Sequence, residues 1–249
     1  MEKLSICIIC KNEEHNIRRC IESALWAGEV VIYDTGSIDQ TLDICRTYPV
    51  TIYANNSWEG FGLSYRSGVN KAQNNWVFLL DADEEISPGL KLALQEFMTN
   101  PIPNTAYRVK RVSYFLDQKI NYSGWQRDYT LRLFNRTNGT FNTKQVHQFV
   151  EVNCPVHHLP GILLHYTYPT IKTHLTKMLL YSEIGATTAY EKGTTSSVIK
   201  ALLRGIAKFL KMYLLNLGFL DGSKGLALAI TSGFGVYIKY LFIWEKHHQ

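Results

Sequence analysis

Short apolar runs alternate with helical patterns over residues 1–100. Four runs have the length of buried strands: they are Ser5–Cys10, Val30–Tyr33, Val50–Tyr53 and Trp76–Leu80. Between them, apolar residues recur at helical spacing over Asn16–Ala24, Asp39–Thr47 and Leu63–Gln73. Strands that alternate with helices predict βαβ units on a mainly parallel sheet.

The pattern changes after one further helix. Ser87-Pro88 provides an N-cap and a first-turn proline for a helix that extends to about Met98. Residues 107–168 are rich in β-type segments and loops, and the chain then becomes helical, with a glycine-rich break at Gly218–Gly225. We therefore expect two regions, an α/β domain at residues 1–165 and a helical region at residues 166–249.

Polar turns follow three of the predicted strands. They are Lys11–Glu14, Asp34–Asp39 and Asp81–Glu84. In an open α/β sheet, ligands bind beyond the carboxyl ends of the strands, so these turns are expected to converge on one binding edge. A dinucleotide fingerprint would need G-x-G-x-x-G after the first strand, yet Lys11–Glu14 contains no glycine, and a P-loop is also absent.

The five cysteines do not indicate a disulfide framework or a zinc site. Their number is odd and their spacing irregular. Cys7 and Cys10 form a C-x-x-C, but residues three apart on a strand point to opposite faces. The N-terminus leads directly into the first strand without the features of a cleaved signal peptide, so we expect a cytoplasmic protein.

Asp81-x-Asp83 directly after an apolar strand is the strongest chemical signal. Two carboxylates would repel a diphosphate unless a hard divalent cation such as Mg²⁺ or Mn²⁺ lies between them. Such a cation would also offset the charge that develops on a departing diphosphate. The alternative is an exposed acidic turn that caps the next helix, but the second acidic turn at Asp34–Asp39 favours a site.

The excess of positive over negative charge lies entirely in the last third of the chain. Residues 165–249 carry 10 Lys and Arg against 4 Asp and Glu, an excess of +6, whereas residues 1–164 carry 16 against 17. Such asymmetry indicates an anionic surface as partner, either a membrane or nucleic acid.

Four of these cations recur on one side of a single helix. They are Lys200, Arg204, Lys208 and Lys211, and the remaining face is broad and apolar. This pattern is typical of an interfacial membrane helix. A helix packed on the rest of the protein is the alternative, and nucleic acid fits worse because the apolar face is too wide. The uncharged run 225–238 is shorter than the roughly 20 residues of a spanning helix. Shallow insertion into a membrane through residues 225–244 is a further alternative.

The ordered motifs resemble those of a known enzyme family. Ser5–Glu14, Val30–Thr41 and Phe78–Glu84 together resemble the family-2 glycosyltransferases, whose Rossmann-like nucleotide-sugar-binding fold is called GT-A. Gly124–Phe134, Val146-His147 and Gly218–Gly222 fall in the expected order, so the resemblance covers essentially the whole chain. Within the family, the chain looks most like the bacterial lipopolysaccharide inner-core β-1,4-glucosyltransferases, which transfer glucose from UDP-glucose to a heptose.

The resemblance implies a role for each turn. Nucleotide-sugar-binding residues would be Asn12, Glu13, Asp34, Ser37, Asp39, Arg66, Asp81 and Asp83. Of these, Asp83 would also hold the divalent metal, and Arg66 would lie near the phosphates. His147 would be a further metal ligand or diphosphate contact, with His165 as a weaker substitute, although relatives commonly have Glu where this chain has Gln148.

Asp128 is the expected catalytic base. Inversion needs one carboxylate to take the proton of the acceptor hydroxyl as it attacks the anomeric carbon. The alternative is a structural acid in a salt bridge with Arg127 or Arg132. Processive relatives carry Q-x-x-R-W, whereas Gln126 is followed three residues later by Tyr129, so addition of a single sugar is expected.

The expected protein is thus a metal-dependent, inverting, non-processive hexosyltransferase with a C-terminal membrane-proximal region. Its expected partners are a UDP-sugar donor, a lipid-linked lipopolysaccharide-core acceptor and the anionic inner face of the cell membrane, but no nucleic acid. Two alternatives stay open. One is a transferase of the same fold with another donor, such as UDP-galactose or UDP-N-acetylglucosamine, and the other is a catalytically silent sugar-nucleotide-binding scaffold.

Overall fold

A computed structural model describes residues 3–55, 61–141 and 150–248. The strands are β1 (Leu4–Cys10), β2 (Glu29–Asp34), β3 (Thr51–Ala54), β4 (Trp76–Asp81), β5 (Glu84–Ile86), β6 (Ala106–Phe115), β7 (Gln118–Lys119), β8 (Tyr129–Asn135), β9 (Gly139–Phe141), β10 (Val150–Val152) and β11 (Val156–Tyr168). The helices are α1 (Ile17–Ala24), α2 (Thr41–Cys45), α3 (Phe61–Asn70), α4 (Pro88–Thr99), α5 (Ile171–Glu191), α6 (Val198–Leu210) and α7 (Gly222–Lys246). A π-helical turn at Lys211–Leu215 follows α6, and a 3₁₀ turn at Gly218–Asp221 precedes α7.

The chain forms two compact units. The first contains Met1–Arg111 and Asp128–His165, and the second contains Val112–Arg127 and Tyr166–Gln249. This division differs from the expected 1–165 and 166–249 by the segment 112–127, which belongs to the second unit.

One large sheet has the strand order β3-β2-β1-β4-β8-β6-β11-β5. Strand β1 is parallel to β2 and β4, and β2 is parallel to β3, as the βαβ pattern predicts. Antiparallel pairs join β4 to β8, β8 to β6 and β11 to β5. Strands β1 to β4 are therefore parallel, as predicted. The β-rich segment that follows extends the sheet with antiparallel strands.

The two faces of β1 lie in separate apolar clusters. Ile6, Ile8 and Cys10 pack with α1 and α4 residues on one face, whereas Cys7 packs with Val31 and other residues on the opposite face. Both cysteines are buried free thiols. Their opposite orientation agrees with the strand alternation expected from sequence and separates them from any shared metal.

Helix α4 begins where the sequence predicts. Ser87 is its N-cap, and the Leu90 backbone N–H donates to Ser87 Oγ at 3.3 Å. Gly161 has a φ of +106°, and a Cβ at this position would lie 2.5 Å from Leu90 Cα. Glycine is therefore required where β11 passes the first turn of α4.

The second unit contains three long helices, with α7 packed on both α5 and α6. Small residues allow the close approach of α6 and α7, since a Cβ added at Gly205 would lie 3.0 Å from the Gly233 carbonyl oxygen. On the side of α5, Ser182 Oγ donates to the Gly235 carbonyl at 2.9 Å, and His174 Nε2 lies 2.8 Å from Thr231 Oγ1.

Candidate active site

The turns after β1 and β2 are hydrogen-bonded to each other at the carboxyl edge of the sheet. The Asn12 backbone N–H donates to Ser37 Oγ at 2.9 Å, and the Ile38 N–H donates to Asn12 Oδ1 at 2.8 Å. Asn12 has a φ of 54°, in the left-handed region that asparagine tolerates. These contacts bring Asn12 and Ser37 together, as the convergence of the turns predicts.

Asp34 gives the second turn its shape. Its carboxylate is buried and accepts the N–H groups of Gly36 and Ser37 at 2.9 Å each, and the Ser37 hydroxyl also donates to it. The side chain of Asp34 is therefore engaged within the turn, and the groups displayed around it are backbone atoms and the Ser37 hydroxyl.

Glu13 and Asp39 connect the same turns to the start of α2. The Glu13 N–H donates to Thr41 Oγ1 at 2.8 Å, and the Glu14 N–H donates to Asp39 Oδ2 at 3.2 Å. The pKa of Asp39 is lowered because, although burial would raise it, hydrogen bonds from Thr41 and from the Glu14 amide outweigh burial. Five of the expected nucleotide-binding residues thus lie on two mutually bonded turns.

Asp81 is held by a buried arginine. Arg132 Nη2 lies 2.6 Å from Asp81 Oδ2 and 2.6 Å from Glu84 Oε1, and the Tyr65 hydroxyl donates to Asp81. Burial alone would raise the pKa of Asp81, but the charge and hydrogen bonds of Arg132 hold it below its ordinary value. Burial raises the pKa of Glu84, which has no exposed side-chain surface.

Asp83 faces a histidine on a neighbouring strand. Strand β5 pairs with β11 so that His165 lies opposite Glu84, and this register places His165 Nε2 3.4 Å from Asp83 Oδ2. Both side chains are mostly buried. Within the part of the chain that the structure describes, His165 is therefore the histidine whose imidazole lies beside the D-x-D turn.

Asp128 forms a salt bridge with Arg111, one strand away. Arg111 Nε donates to Asp128 Oδ2 at 2.7 Å, and Arg111 Nη1 lies 3.4 Å from Glu84 Oε1. The expected structural alternative was a salt bridge to Arg127 or Arg132, and the observed partner differs because Arg111 lies beside Asp128 where β6 pairs with β8. About a third of the Asp128 side chain is exposed.

A continuous ion-pair network joins these groups. It runs from Tyr65 through Asp81, Arg132, Glu84 and Arg111 to Asp128. Three carboxylates, those of Asp81, Glu84 and Asp128, thus share two guanidiniums. This edge of the sheet therefore holds its acids in one fixed framework of ion pairs and hydrogen bonds.

Arg66 does not belong to this network, and the position of His147 is not described. Arg66 is exposed on α3, next to Tyr65. His147, the expected additional metal ligand, lies outside the described residues, as does Gln148. Among the residues that the structure describes, no group of three His, Cys, Asp or Glu side chains is placed to hold a metal ion.

The sequence family follows from a match over most of the first unit and beyond. Residues 5–154 match the family described as Glycosyl transferase family 2, which is more than half of the 249 residues. The chain belongs to the family-2 glycosyltransferases. The α/β architecture and this match together confirm the GT-A fold that the resemblance implied, and helices α5, α6 and α7 confirm the C-terminal helical region expected from the sequence pattern.

Relatives of this glycosyltransferase align over nearly its whole length. It is 27% identical over 251 residues to the lipopolysaccharide core biosynthesis glycosyltransferase LpsC of Rhizobium meliloti (strain 1021), covering 98% of this chain and 93% of that protein. It is 29% identical over 252 residues to the uncharacterized glycosyltransferase RT0209 of Rickettsia typhi, covering 96% and 86% of the two chains.

Two solved structures to which the chain is similar have lower sequence identity to it. S. aureus TarS is 15% identical, with a TM-score of 0.48 over 89% of this chain and 46% of TarS. Glucosyl-3-phosphoglycerate synthase of Mycobacterium tuberculosis, in complex with Mn²⁺, UDP and phosphoglyceric acid, is 17% identical, with a TM-score of 0.37 over 45% of this chain and 43% of the synthase. The transferase thus spans less than half the length of each of these structures.

The second unit of the transferase carries the predicted amphipathic helix. Ala201, Gly205 and Met212 form its buried side, whereas the apolar side is open: Ile199 is 72% exposed and Leu203 is 61% exposed. Lys200 and Arg204 lie near the ring of Tyr240, at 6.0 and 5.7 Å. We call the exposed apolar residues the α6 stripe, which comprises Val198, Ile199, Leu202, Leu203, Ile206, Leu210 and Leu214.

Within residues 3–55, 61–141 and 150–248, one helix is long and apolar enough to cross a membrane by length and composition. It is Gly218–Lys246, 29 residues with a mean hydropathy of 1.6 in its most apolar window, 28% of which is buried inside the protein. The helix is longer than the uncharged run 225–238 suggested, because Lys224 and Lys239 are both within it.

Proposed function

We propose that this glycosyltransferase transfers one glucose from UDP-glucose, with inversion, to a heptose of the lipopolysaccharide inner core at the inner face of the cell membrane. The observation that carries the proposal is the ion-pair network, which joins Asp81 and Glu84, the residues on either side of the D-x-D turn, to Asp128, the candidate base. Preorganised charges of this kind stabilise charge that develops during reaction without reorganisation. The similarity to LpsC supports the lipopolysaccharide core as acceptor.

Asp83 and His165 are the residues we expect to hold a divalent cation. Their facing atoms are 3.4 Å apart, and carboxylate and imidazole are both ligands of Mn²⁺-type ions. Mg²⁺ is usually bound by one or two carboxylates together with substrate phosphates, so a preformed group of three protein ligands is not required. The cation, when bound, offsets the charge of the leaving diphosphate.

Asp128 is the group we expect to accept the proton of the acceptor hydroxyl. As the hydroxyl oxygen bonds to the anomeric carbon and the bond to the diphosphate breaks, the proton passes to the Asp128 carboxylate. Arg111 donates to Oδ2, which orients the carboxylate and leaves Oδ1 for the acceptor. A single displacement of this kind inverts the anomeric configuration and needs no second nucleophile.

The two mutually bonded turns are the proposed nucleotide site. Asn12, Asp34 and Asp81 are expected near the uracil and ribose, and Arg66 is exposed where it can approach a phosphate. The Asp34 carboxylate accepts the N–H groups of Gly36 and Ser37, so its proposed role in nucleotide binding is to hold the shape of the turn. The backbone of that turn and the Ser37 hydroxyl would contact the nucleoside.

The α6 stripe and its flanking cations are the proposed membrane contact. An apolar stripe next to Lys200, Arg204 and Lys208 matches the chemistry of an anionic lipid surface, where the stripe enters the acyl boundary and the cations meet headgroup phosphates. A lipid-linked acceptor is presented at such a surface, so this contact would bring enzyme and acceptor together.

A donor and acceptor screen tests the proposal. The purified protein with Mn²⁺ is incubated with UDP-glucose, UDP-galactose or UDP-N-acetylglucosamine and a deacylated heptose-containing inner-core oligosaccharide, and released UDP is measured. We expect UDP-glucose to give the highest rate, and proton NMR to show a β-glucoside from the α-linked donor. An α-linked product would contradict inversion, preference for another donor would contradict glucose transfer, and UDP binding without turnover would favour a silent scaffold.

A further inference from the structure

The second unit contains a cavity that the proposed reaction has not used. Its volume is about 510 Å³, and it is formed where the segment before Asp128 meets the π-helical turn. Arg127, Lys211, Gln126 and Asn216 provide its polar lining, and Leu215 and Leu217 provide apolar lining. All of these residues belong to the second unit.

The cavity has a positive lining without matching acids. In the part of the chain that the structure describes, neither Arg127 nor Lys211 forms a salt bridge. Burial lowers the pKa of Lys208, and the positive charge of Lys211 lowers it further. Uncompensated cations beside two amide side chains provide the donors that phosphate and carboxylate groups bind.

The wall of the cavity is fixed by a buried acid. Asp221 accepts the backbone N–H groups of Asn121 and Tyr122 at 3.0 and 3.1 Å and the Ser123 hydroxyl at 2.9 Å. The Ser123 N–H in turn donates to the Asn216 carbonyl at 3.0 Å. Asp221 therefore holds the segment that presents Gln126 and Arg127 to the cavity, which gives the Gly218–Gly222 motif a positioning role.

Gly124 keeps this wall close to the helical side of the cavity. Its φ is +88°, and a Cβ there would lie 2.7 Å from Asn216 Nδ2. The positive φ favours glycine at this position, and the segment passes close to the Asn216 side chain. The cavity is thus built from a braced loop rather than from loosely placed surface side chains.

We propose that this cavity binds an anionic group, a phosphate or carboxylate, of the saccharide acceptor. The inference rests on the proposed function, because Arg127 directly precedes Asp128, the proposed base, in the chain. The diphosphate of the donor is assigned to the Asp83 region of the first unit, so a second anion site fits the other substrate. Gln126 and Asn216 would bind sugar hydroxyls beside the anion.

Calorimetric titration of two soluble ligands tests the assignment. The ligands are a phosphorylated, deacylated inner-core oligosaccharide and UDP with Mn²⁺, and the variant is Arg127→Gln combined with Lys211→Gln. We expect the Kd for the oligosaccharide to rise by about 10- to 100-fold, as for loss of charge-assisted hydrogen bonds, and the Kd for UDP to stay unchanged. Lys192→Gln, which removes an exposed cation outside the cavity, is the matched control.

Each outcome decides the assignment. Unchanged affinity for the oligosaccharide in the double variant overturns it, and weakened UDP binding would instead assign the cavity to the donor. A parent protein that does not bind the oligosaccharide contradicts the proposed acceptor. In that case ³¹P NMR titration with mannose 6-phosphate tests anion binding by the cavity directly. Binding by the parent that is lost in the double variant supports the anion site, and absence of binding by the parent contradicts it.

Discussion

Arg132 Nη2 lies 2.6 Å from Asp81 Oδ2, and only 6% of the arginine side chain is exposed. The same nitrogen is 2.6 Å from Glu84 Oε1, so one buried guanidinium bridges two carboxylates. Burial opposes the charged form of Arg132, but Asp81 and Glu84 hold its pKa well above the ordinary value, so the guanidinium stays charged. Removal of this cation would take from each of the two acids its closest ion-pair partner.

We expect Arg132→Met to lower the free energy of unfolding by about 3–5 kcal/mol, the usual cost of breaking a buried ion pair. Urea denaturation followed by circular dichroism measures the change. Arg46→Met is the matched control, because the Arg46–Asp43 pair is exposed and such pairs contribute at most about 1 kcal/mol. Equal effects of the two substitutions would show that the buried bridge has no special weight.

Asp83→Asn is expected to abolish turnover and to weaken UDP binding only when Mn²⁺ or Mg²⁺ is present. The amide keeps the shape of the side chain but removes the charge that a divalent cation requires. Calorimetric titration of UDP with and without metal gives the measurement, and His165→Gln should show a smaller change in the same direction. Full transferase activity in excess EDTA would contradict this prediction.

Asp128→Asn should reduce turnover by roughly 10²–10⁴, the usual contribution of general-base catalysis, with little change in UDP affinity. Steady-state kinetics with saturating donor and acceptor measure turnover, and calorimetric titration measures the affinity for UDP. Asp43→Asn removes an exposed carboxylate in the same unit and should leave turnover at the parent level. Parental rates in Asp128→Asn would place the base elsewhere.

Replacement of Lys200, Arg204 and Lys208 by glutamine should weaken binding to anionic vesicles. Each cation contributes about 1 kcal/mol near such a surface, and parental binding should also weaken with salt, because the Debye length shrinks from about 10 Å at 0.1 M to about 3 Å at 1 M. Vesicle sedimentation measures binding, with neutral vesicles as control. Retention at high salt, lost on Ile199→Ser with Leu203→Ser, would assign binding mainly to the α6 stripe.

Stability should fall on acidification partly because of His174. Burial lowers its pKa below the ordinary value of 6.5, so below about pH 6.5 the unfolded state binds more protons than the folded state and stability is lost. His174→Gln, which can still bond Thr231, should flatten the dependence of Tm between pH 8 and pH 5. An unchanged slope in this variant would assign the acid sensitivity to other groups.

The local elements of the first unit were predictable because their signals are local. Apolar runs at β1 to β4 and the Ser87 cap appear in the sequence itself, and strand ends show where the polar turns meet. Sequence reasoning missed β5 as a strand and the roles of Tyr65, Glu84 and Arg111. The signal for Glu84 was present in the D-x-D-E turn, but its two arginine partners come from distant strands.

Register explains what the sequence could not supply. Arg111 contacts Asp128 because β6 and β8 are antiparallel, and His165 reaches Asp83 because β11 pairs with β5. A shift of one residue in either pairing would turn these side chains to the opposite face. The spacing of charged residues predicts which side of α6 is basic. The packing of α6 on α7 was needed to show that its broad apolar side is exposed.

The contact between Gly205 and Gly233 has a consequence for the protein away from lipid. Helix α6 packs on α7 through its narrow side of small residues, so the α6 stripe is exposed to water when no bilayer is present. We therefore expect the protein to self-associate in detergent-free solution as its concentration rises. Light scattering should therefore show oligomers that a mild detergent disperses. The combined substitutions Ile199→Ser, Leu202→Ser and Leu203→Ser, all within the α6 stripe, should give a monodisperse protein suited to crystallisation, with the first unit unchanged.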